Sequence, residues 1–327
     1  MRALVTGGAG FIGSHLAEHL LRSGHAVVVL DNLSTGRFDN IAHLVGRPDF
    51  SYQIGPLEDA GLLAECGRDC DAIFHLAAAV GVELILRDPV ATIENNINGT
   101  EAVLHFAVRS GKRVLITSSS EVYGKTSKMP FGEDDDVVYG PTSRPRWAYA
   151  ISKSVDEFLL RAYAQARGLP GVVARLFNTV GPRQVGHYGM VIPRFVEQAL
   201  RGGPITVYGD GEQTRCFAHV LDIVGALHDL MCLPQLRGEI VNLGAAERVS
   251  IRTLAEHIRR KVNPAVEIQY VPYDVAFGPG FEDMRDRVPD VRRAQELIGW
   301  AARYNLDRIL DDVIADRQGR WRPERSV

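Results

Sequence analysis

At 327 residues the chain is long enough to bury a substantial core as one large domain or two intimately joined ones. Hydrophobic residues make up 46%, charged residues 24% and the formal net charge is -3, which excludes a polybasic nucleic-acid binder and a disordered tail. An anionic ligand must therefore be held by local cations.

From the N-terminus, Arg2–Thr6 reads as an apolar strand, with no basic segment and cleavage site before it and no later run long enough to cross a bilayer. The expectation is a cytoplasmic protein. Four cysteines (Cys66, Cys70, Cys216 and Cys232) are too few for a disulfide framework, and they do not combine with His75, His187 or His219 into a metal spacing. No metal is expected.

Strands are predicted at Arg2–Thr6, Ala26–Leu30, Phe50–Ile54, Ala72–Leu76, Arg113–Thr117 and Gly171–Leu176, with helical patterns between most of them. That alternation predicts an α/β fold with a doubly wound parallel sheet. Between strand one and the next helix lies Thr6-Gly7-Gly8-Ala9-Gly10-Phe11-Ile12-Gly13. Glycine stands where a backbone must turn tightly and approach a pyrophosphate, and the helix N-terminus then faces that anion. Asp31 ends the second strand, where its carboxylate can accept both adenosine ribose hydroxyls and repel a 2′-phosphate. NAD is therefore expected over NADP, bound by Gly7, Gly10, Phe11, Ile12, Gly13, Asp31 and its neighbour Asn32. Small side chains after the fourth strand, at Leu76-Ala77-Ala78, would let the dinucleotide lie close to the sheet edge.

Further along, Ser118-Ser119-Ser120-Glu121 precedes Tyr149-Ala-Ile-Ser-Lys153. Tyr149 and Lys153 are four apart and share a helix face, so an ammonium can stabilise a phenolate there. Such a phenolate can take a proton from a substrate hydroxyl while hydride leaves the same carbon. The acidic run Glu133–Asp136 between the two segments reads as a solvated loop or the border of a lid. Beyond Asn178 the chain becomes rich in Gly and Pro, which predicts a smaller substrate portion over 179–327 after a Rossmann domain over 1–178. The 217–243 segment is expected to return to the first domain, while Ile251–Val262 and Ala294–Ile298 are helical patterns of the second.

Taken together, Gly7-x-x-Gly10-x-x-Gly13, His75-Leu-Ala-Ala78, Asn96-Ile-Asn-Gly99-Thr100, Tyr149-x-x-x-Lys153 and Arg175-Leu-Phe-Asn178 resemble the extended short-chain dehydrogenase/reductase family that modifies nucleotide sugars. The resemblance covers nearly the whole chain. It implies a Rossmann domain with a small C-terminal α/β substrate domain, NAD retained through a closed redox cycle, and a homodimer formed through a four-helix bundle near Asn95–Ser110 and Ala148–Arg167. Within that family, Ser119-Ser120-Glu121-Val-Tyr-Gly124, Gly140-Pro141 with Trp147-x-Tyr149, and Thr214-Arg215-Cys216-Phe217 resemble UDP-glucuronate decarboxylases. A 4,6-dehydratase would carry an Asp-Glu pair at Ser120-Glu121, and a 4-epimerase a small residue at Glu121. The family's aspartate after the third strand is replaced by Pro56, so adenine would be met by backbone groups or by Asp59.

The resemblance implies a lyase in which Tyr149, Lys153, Ser119 and Ser120 oxidise the sugar at C4, while Glu121 and Arg215 manage the C5/C6 end. Asn178 and Arg287 would hold the UDP-sugar's diphosphate. Arg183 and Arg194 are further diphosphate candidates, with surface salt bridging as the other reading, and Tyr208 either borders the base or packs in the core. A 4-epimerase and a non-catalytic NAD-binding regulator remain alternatives.

Overall fold

The computed structural model describes residues 1–79, 88–186, 190–278 and 284–321. Seven parallel strands form its central sheet: β1 (Arg2–Thr6), β2 (Ala26–Asp31), β3 (Phe50–Ile54), β4 (Ala72–His75), β5 (Arg113–Ser119), β6 (Gly171–Leu176) and, much later, β11 (Glu239–Leu243). They lie in the order β11-β6-β5-β4-β1-β2-β3. Most of their residues are fully buried, as expected for a sheet covered by helices on both faces. The order reverses between β1 and β4, whose C-terminal ends are neighbours through the pair Thr6–His75. Open α/β sheets leave a crevice at such a switch point.

One face is covered by the Phe11–Arg22 and Val220–Met231 helices, which pack on each other. The other carries Pro89–Ser110 and Ala148–Arg167, which lie side by side. Their ends are chemically marked. Asp88 caps the first through the Ala91 N–H, Pro89 opens it, and left-handed Gly111 closes it; left-handed Gly168 closes the second.

Three short strand pairs build the rest: β7 (Thr179–Val180) with β10 (Ala218–His219), β8 (Ile205–Tyr208) with β13 (Ile268–Val271), and β9 (Thr214–Cys216) with β12 (Arg248–Ser250). A second core around Ile192, Phe195, Leu254, Ile258, Leu310 and Val313 sits under the helices Val191–Leu200, Ile251–Val262 and Leu306–Arg317. The Arg292–Ile298 helix departs from its expected place. Ala294 and Trp300 are buried in the first core, and the Trp300 indole donates to the Gly244 carbonyl at 3.1 Å. The chain thus crosses back to the sheet a second time.

The acidic run is the expected loop, with Asp134 and Asp136 exposed, and three of its side chains are anchored. Glu133 accepts from the Asn242 N–H at 2.9 Å, Asp134 pairs with Arg293 at 2.6 Å and Asp135 pairs with Lys128, so the segment is stitched down by specific partners.

Candidate active site

At the switch point a cleft of about 1070 Å³ runs from the ends of β1 and β2 past Tyr149 into the second core's territory. Apart from Asp59, the residues singled out for cofactor, chemistry and substrate line it: Gly7, Gly10, Phe11, Ile12, Gly13 and Asp31 at one end, Ser119, Ser120, Glu121, Tyr149 and Lys153 in the middle, and Asn178, Arg183, Arg194, Tyr208, Arg215 and Arg287 beyond them. His187 lies outside the described residues.

The cofactor end is shaped by close backbone approach. Gly7 has φ +70, and a Cβ on it would fall 2.7 Å from the Ala77 nitrogen, because the β1 and β4 loops touch across the switch point. A Cβ on Gly13 would fall 2.1 Å from the Gly7 carbonyl oxygen. Only glycine fits at either place, and the helix beginning at Phe11 aims its first-turn N–H groups, which have no intrahelical partner, along the same axis. Asp31 is buried and accepts from the N–H groups of Ala9 at 2.9 Å and Leu33 at 2.8 Å. Those bonds fix the carboxylate at the rim, where its remaining lone pairs suit two vicinal hydroxyls. Asn32, next to it, accepts from the Ser34 N–H at 3.0 Å. Leu76, Ala77 and Ala78 form the floor, and the Ala79 N–H donates to Asn96, whose amide in turn reaches Ser152. This cradle fits a dinucleotide. Asp59 is no part of it, because its carboxylate caps the Ala60–Gly67 helix through the N–H groups of Gly61 and Leu62. Gly55, Pro56, Leu57 and Glu58 line the adenine end instead.

In the middle, Tyr149 and Lys153 share the buried face of the Ala148–Arg167 helix. Burial foremost, and then the Glu121 carboxylate, push the phenol above the ordinary tyrosine range; the Ser119 hydroxyl pulls it back and Asp156 pushes it up again. The Lys153 ammonium donates to Asp156 at 3.0 Å, so its charge is matched within the helix. Ser119 also caps the turn that follows β5 by accepting from the Glu121 N–H, while Ser120 is buried beside it. That turn is braced from behind by Val122, Tyr123, Phe131, Trp147 and Phe177, with the Tyr123 hydroxyl donating to Asn242 at 2.7 Å.

Glu121 sits in a cage of guanidiniums. Arg146 lies 2.5 Å from one carboxylate oxygen and Arg287 2.5 Å from the other, and all three residues are buried. Burial alone would raise this carboxyl, but Arg287, Arg146 and Arg215 hold it at about 2. Arg287, expected at the diphosphate, also reaches Glu121, whose carboxylate is paired with arginines on both oxygens. Arg146 was not anticipated. Its signal was available three residues before Tyr149, close to a helical neighbour's spacing, in Pro145-Arg146-Trp147. Arg215 is steadied by donating to the carbonyls of Thr214 at 2.8 Å and Arg285 at 3.1 Å.

At the far end Arg194 stacks on the Tyr208 ring at 4.1 Å, and Phe277 meets the same ring edge-on at 5.0 Å, leaving an aromatic wall along the cleft. Asn178 donates to the Cys216 carbonyl at 3.0 Å. Arg183 is engaged elsewhere. Its guanidinium donates to Ser14 at 3.2 Å, pairs with Glu18 and covers the Trp321 ring, while its backbone N–H donates to Asp316. It therefore ties the substrate portion to the first helix, and a diphosphate would compete with those bonds.

Comparison with known proteins gives the chain its relatives. Residues 3–244 match the model of the NAD dependent epimerase/dehydratase family. A UDP-N-acetyl-alpha-D-glucosaminuronate decarboxylase of Bacillus cytotoxicus is 40% identical over 316 residues, covering 96% of each chain. UDP-glucuronic acid decarboxylase 1 of Xenopus tropicalis is 37% identical over 96% of this chain and 71% of its own length. Among solved structures, a UDP-glucuronic acid 4-epimerase of Bacillus cereus, in complex with UDP-glucuronic acid and NAD, superposes with a TM-score of 0.86 at 27% identity, covering 98% of this chain and 99% of that one.

Proposed function

The chain belongs to the NAD-dependent epimerase/dehydratase family, and on that premise we propose that it decarboxylates a UDP-linked hexuronate, with UDP-glucuronate as the substrate and UDP-xylose or UDP-4-keto-pentose as the product. Its cofactor is NAD, held by the glycine cradle, Asp31 and the Leu76–Ala78 floor. The observation that carries the proposal is the arginine cage around Glu121 beside Tyr149. It sets carboxylate-binding groups one step away from a phenolic base.

Bound NAD supplies the electron sink that accepts hydride from the sugar C4 and can return it. Tyr149 takes the proton of the C4 hydroxyl, and the hydroxyls of Ser119 and Ser120 hold the oxygen that becomes the ketone. The substrate's carboxyl group then lies β to a carbonyl, so carbon dioxide can leave as electrons flow into an enolate. Tyr149 and Ser120 stabilise that oxygen, and a proton taken up at C5 turns the enolate into the 4-keto-pentose. Arg215, with Arg146 and Arg287, orients the departing carboxylate. A guanidinium presents five donors in a planar fork that matches a carboxylate edge, which suits these three arginines to a sugar acid. Glu121 in turn keeps the arginines fixed in a buried site, where flexible cations would lose their aim. Asn178 and Arg194 line the path for the diphosphate, and Tyr208 the place for the base.

One observation favours a second substrate. The relative from Bacillus cytotoxicus, matched over 96% of both chains, acts by its name on the 2-acetamido hexuronate, and the chemistry at C4 to C6 is the same for both sugars. Incubation with NAD and each nucleotide sugar, followed by mass spectrometry, tests the proposal. Loss of carbon dioxide is expected, and an unchanged mass with inverted C4 would make the protein a 4-epimerase. Absorbance in the NADH band tells whether the ketone escapes before re-reduction.

The proposal includes a cytoplasmic dimer. No described helix is long and apolar enough to cross a membrane. Phe158 is 73% exposed on the Ala148–Arg167 helix, with Ile151 also exposed there and Val90 and Ile93 on its neighbour, so docking this helix pair on that of a second copy as a four-helix bundle would bury them.

A further inference from the structure

Asp156 has no part in the mechanism above, yet its side chain is completely buried. It stands three residues after Lys153 and seven after Tyr149, so the three side chains form one stripe on the inner face of a single helix. A carboxylate in such a place costs several kcal/mol of desolvation unless something answers its charge. The Lys153 ammonium answers that charge at 3.0 Å, with the Thr100 hydroxyl as a lesser neighbour of the carboxyl. Apolar packing or an amide would fill the volume with less cost.

We propose that Asp156 is a positioning residue that holds the Lys153 ammonium and thereby sets the pH at which Tyr149 becomes a base. The inference rests on the reading of Tyr149 as the base of the proposed reaction. With its counterion in place, Lys153 is aimed along the helix face and its charge is shared. Without it, the whole charge would fall on the phenol.

The other charged and titratable groups around the stripe are accounted for. Glu121 faces Tyr149 from the turn after β5 and is held by Arg146, Arg287 and Arg215. Glu157 is bound by Arg175 through two bonds at 2.9 and 2.7 Å and by the Ser118 hydroxyl. His75 approaches from β4, bonded to Thr6 at 2.8 Å and Thr100 at 3.1 Å; burial first, and Lys153 second, keep it neutral, at about 3. Thr100, on the Pro89–Ser110 helix, also acts on the Asp156 carboxyl, which burial raises above the usual carboxylate range. Among the described groups acting on the Tyr149 phenol, the two carboxylates are Glu121 and Asp156, and of these Asp156 is the one paired to Lys153.

Asp156→Asn keeps the shape and removes the charge, so the acid limb of the kcat/KM profile should move to lower pH by about one unit. Asp156→Glu, which keeps the charge, should leave that limb where the wild type has it. NAD content should be unchanged in both. Asp156→Ser is run beside them in case the amide does not fold.

A second readout needs no turnover. In the NAD-loaded protein, the alkaline tyrosinate absorbance step that Tyr149→Phe lacks belongs to Tyr149, and it should come at lower pH in Asp156→Asn. A limb and a titration that stay in place or move upward overturn the inference, whatever happens to the rate. If the wild type releases carbon dioxide from neither nucleotide sugar, the proposed function fails and the titration alone decides here.

Discussion

The two ends of the cleft are built on opposite physical principles. The cofactor end is made of backbone: consecutive glycines, a helix start and a strand end, brought together by close approach with almost no buried charge except Asp31. The sugar-acid end is made of buried charges from distant segments, Glu121 after β5, Arg146 before the Tyr149 helix, Arg215 on β9 and Arg287 late in the chain. A backbone site tolerates no added volume, whereas a charge cage tolerates no lost partner. Substitutions should therefore break them in different ways.

The sharpest break is expected from Gly13→Ala, whose new Cβ would meet the Gly7 oxygen at 2.1 Å. Bound NAD should fall by at least ~100-fold, the cost of displacing two backbone segments in a close-packed site. Quantifying NAD released on denaturation checks this, and wild-type content would remove the cradle from the account.

At the other end, Arg215→Ala should leave NAD content unchanged while carbon dioxide release falls about 100-fold, as for removal of one oriented donor. Single-turnover kinetics on the NAD-loaded variant separate the two effects. Wild-type release would take Arg215 out of the mechanism.

Glu121→Gln tests the cage through stability. The carboxyl is held at about 2 against a usual 4.5, so it contributes stability that is complete above pH 4.5 and lost as pH falls towards 2. Denaturant midpoints for Glu121→Gln should be lower than wild type at pH 7, because the arginines lose their counterion, and should vary less between pH 4.5 and 2. Parallel curves for the two proteins would mean that the cage does not govern that carboxyl.

This contrast also explains what could be read from the sequence. The Gly7–Gly13 turn, Asp31 and the Tyr149–Lys153 pair are contiguous patterns whose geometry follows from one strand, one turn or one helix face. The six strands expected before residue 178 correspond to β1 to β6 for the same reason, since each carries its own apolar run. The cage had no such local signature. Arg287 was assigned to a diphosphate by its match to the family's late phosphate-binding arginine, and its pairing with Glu121 emerges only from the tertiary fold. Asp59 was offered for adenine because a carboxylate was missing there, but its position two residues before Gly61 makes it a helix cap. The Arg292–Ile298 helix was placed in the second domain by chain order, and the burial of Ala294 and Trp300 against the first sheet overrules that. Asp156 was legible in principle, as the third member of a stripe begun by Tyr149 and Lys153.

The central claim is that oxidation at C4 by the buried phenol precedes and enables loss of the carboxyl group. The most direct measurement is carbon dioxide release by NAD-loaded Tyr149→Phe with UDP-glucuronate, beside its 2-acetamido analogue. The account predicts a fall of about 1,000-fold in kcat with NAD content intact. Undiminished release would mean that the acid group departs without that base, and would contradict it.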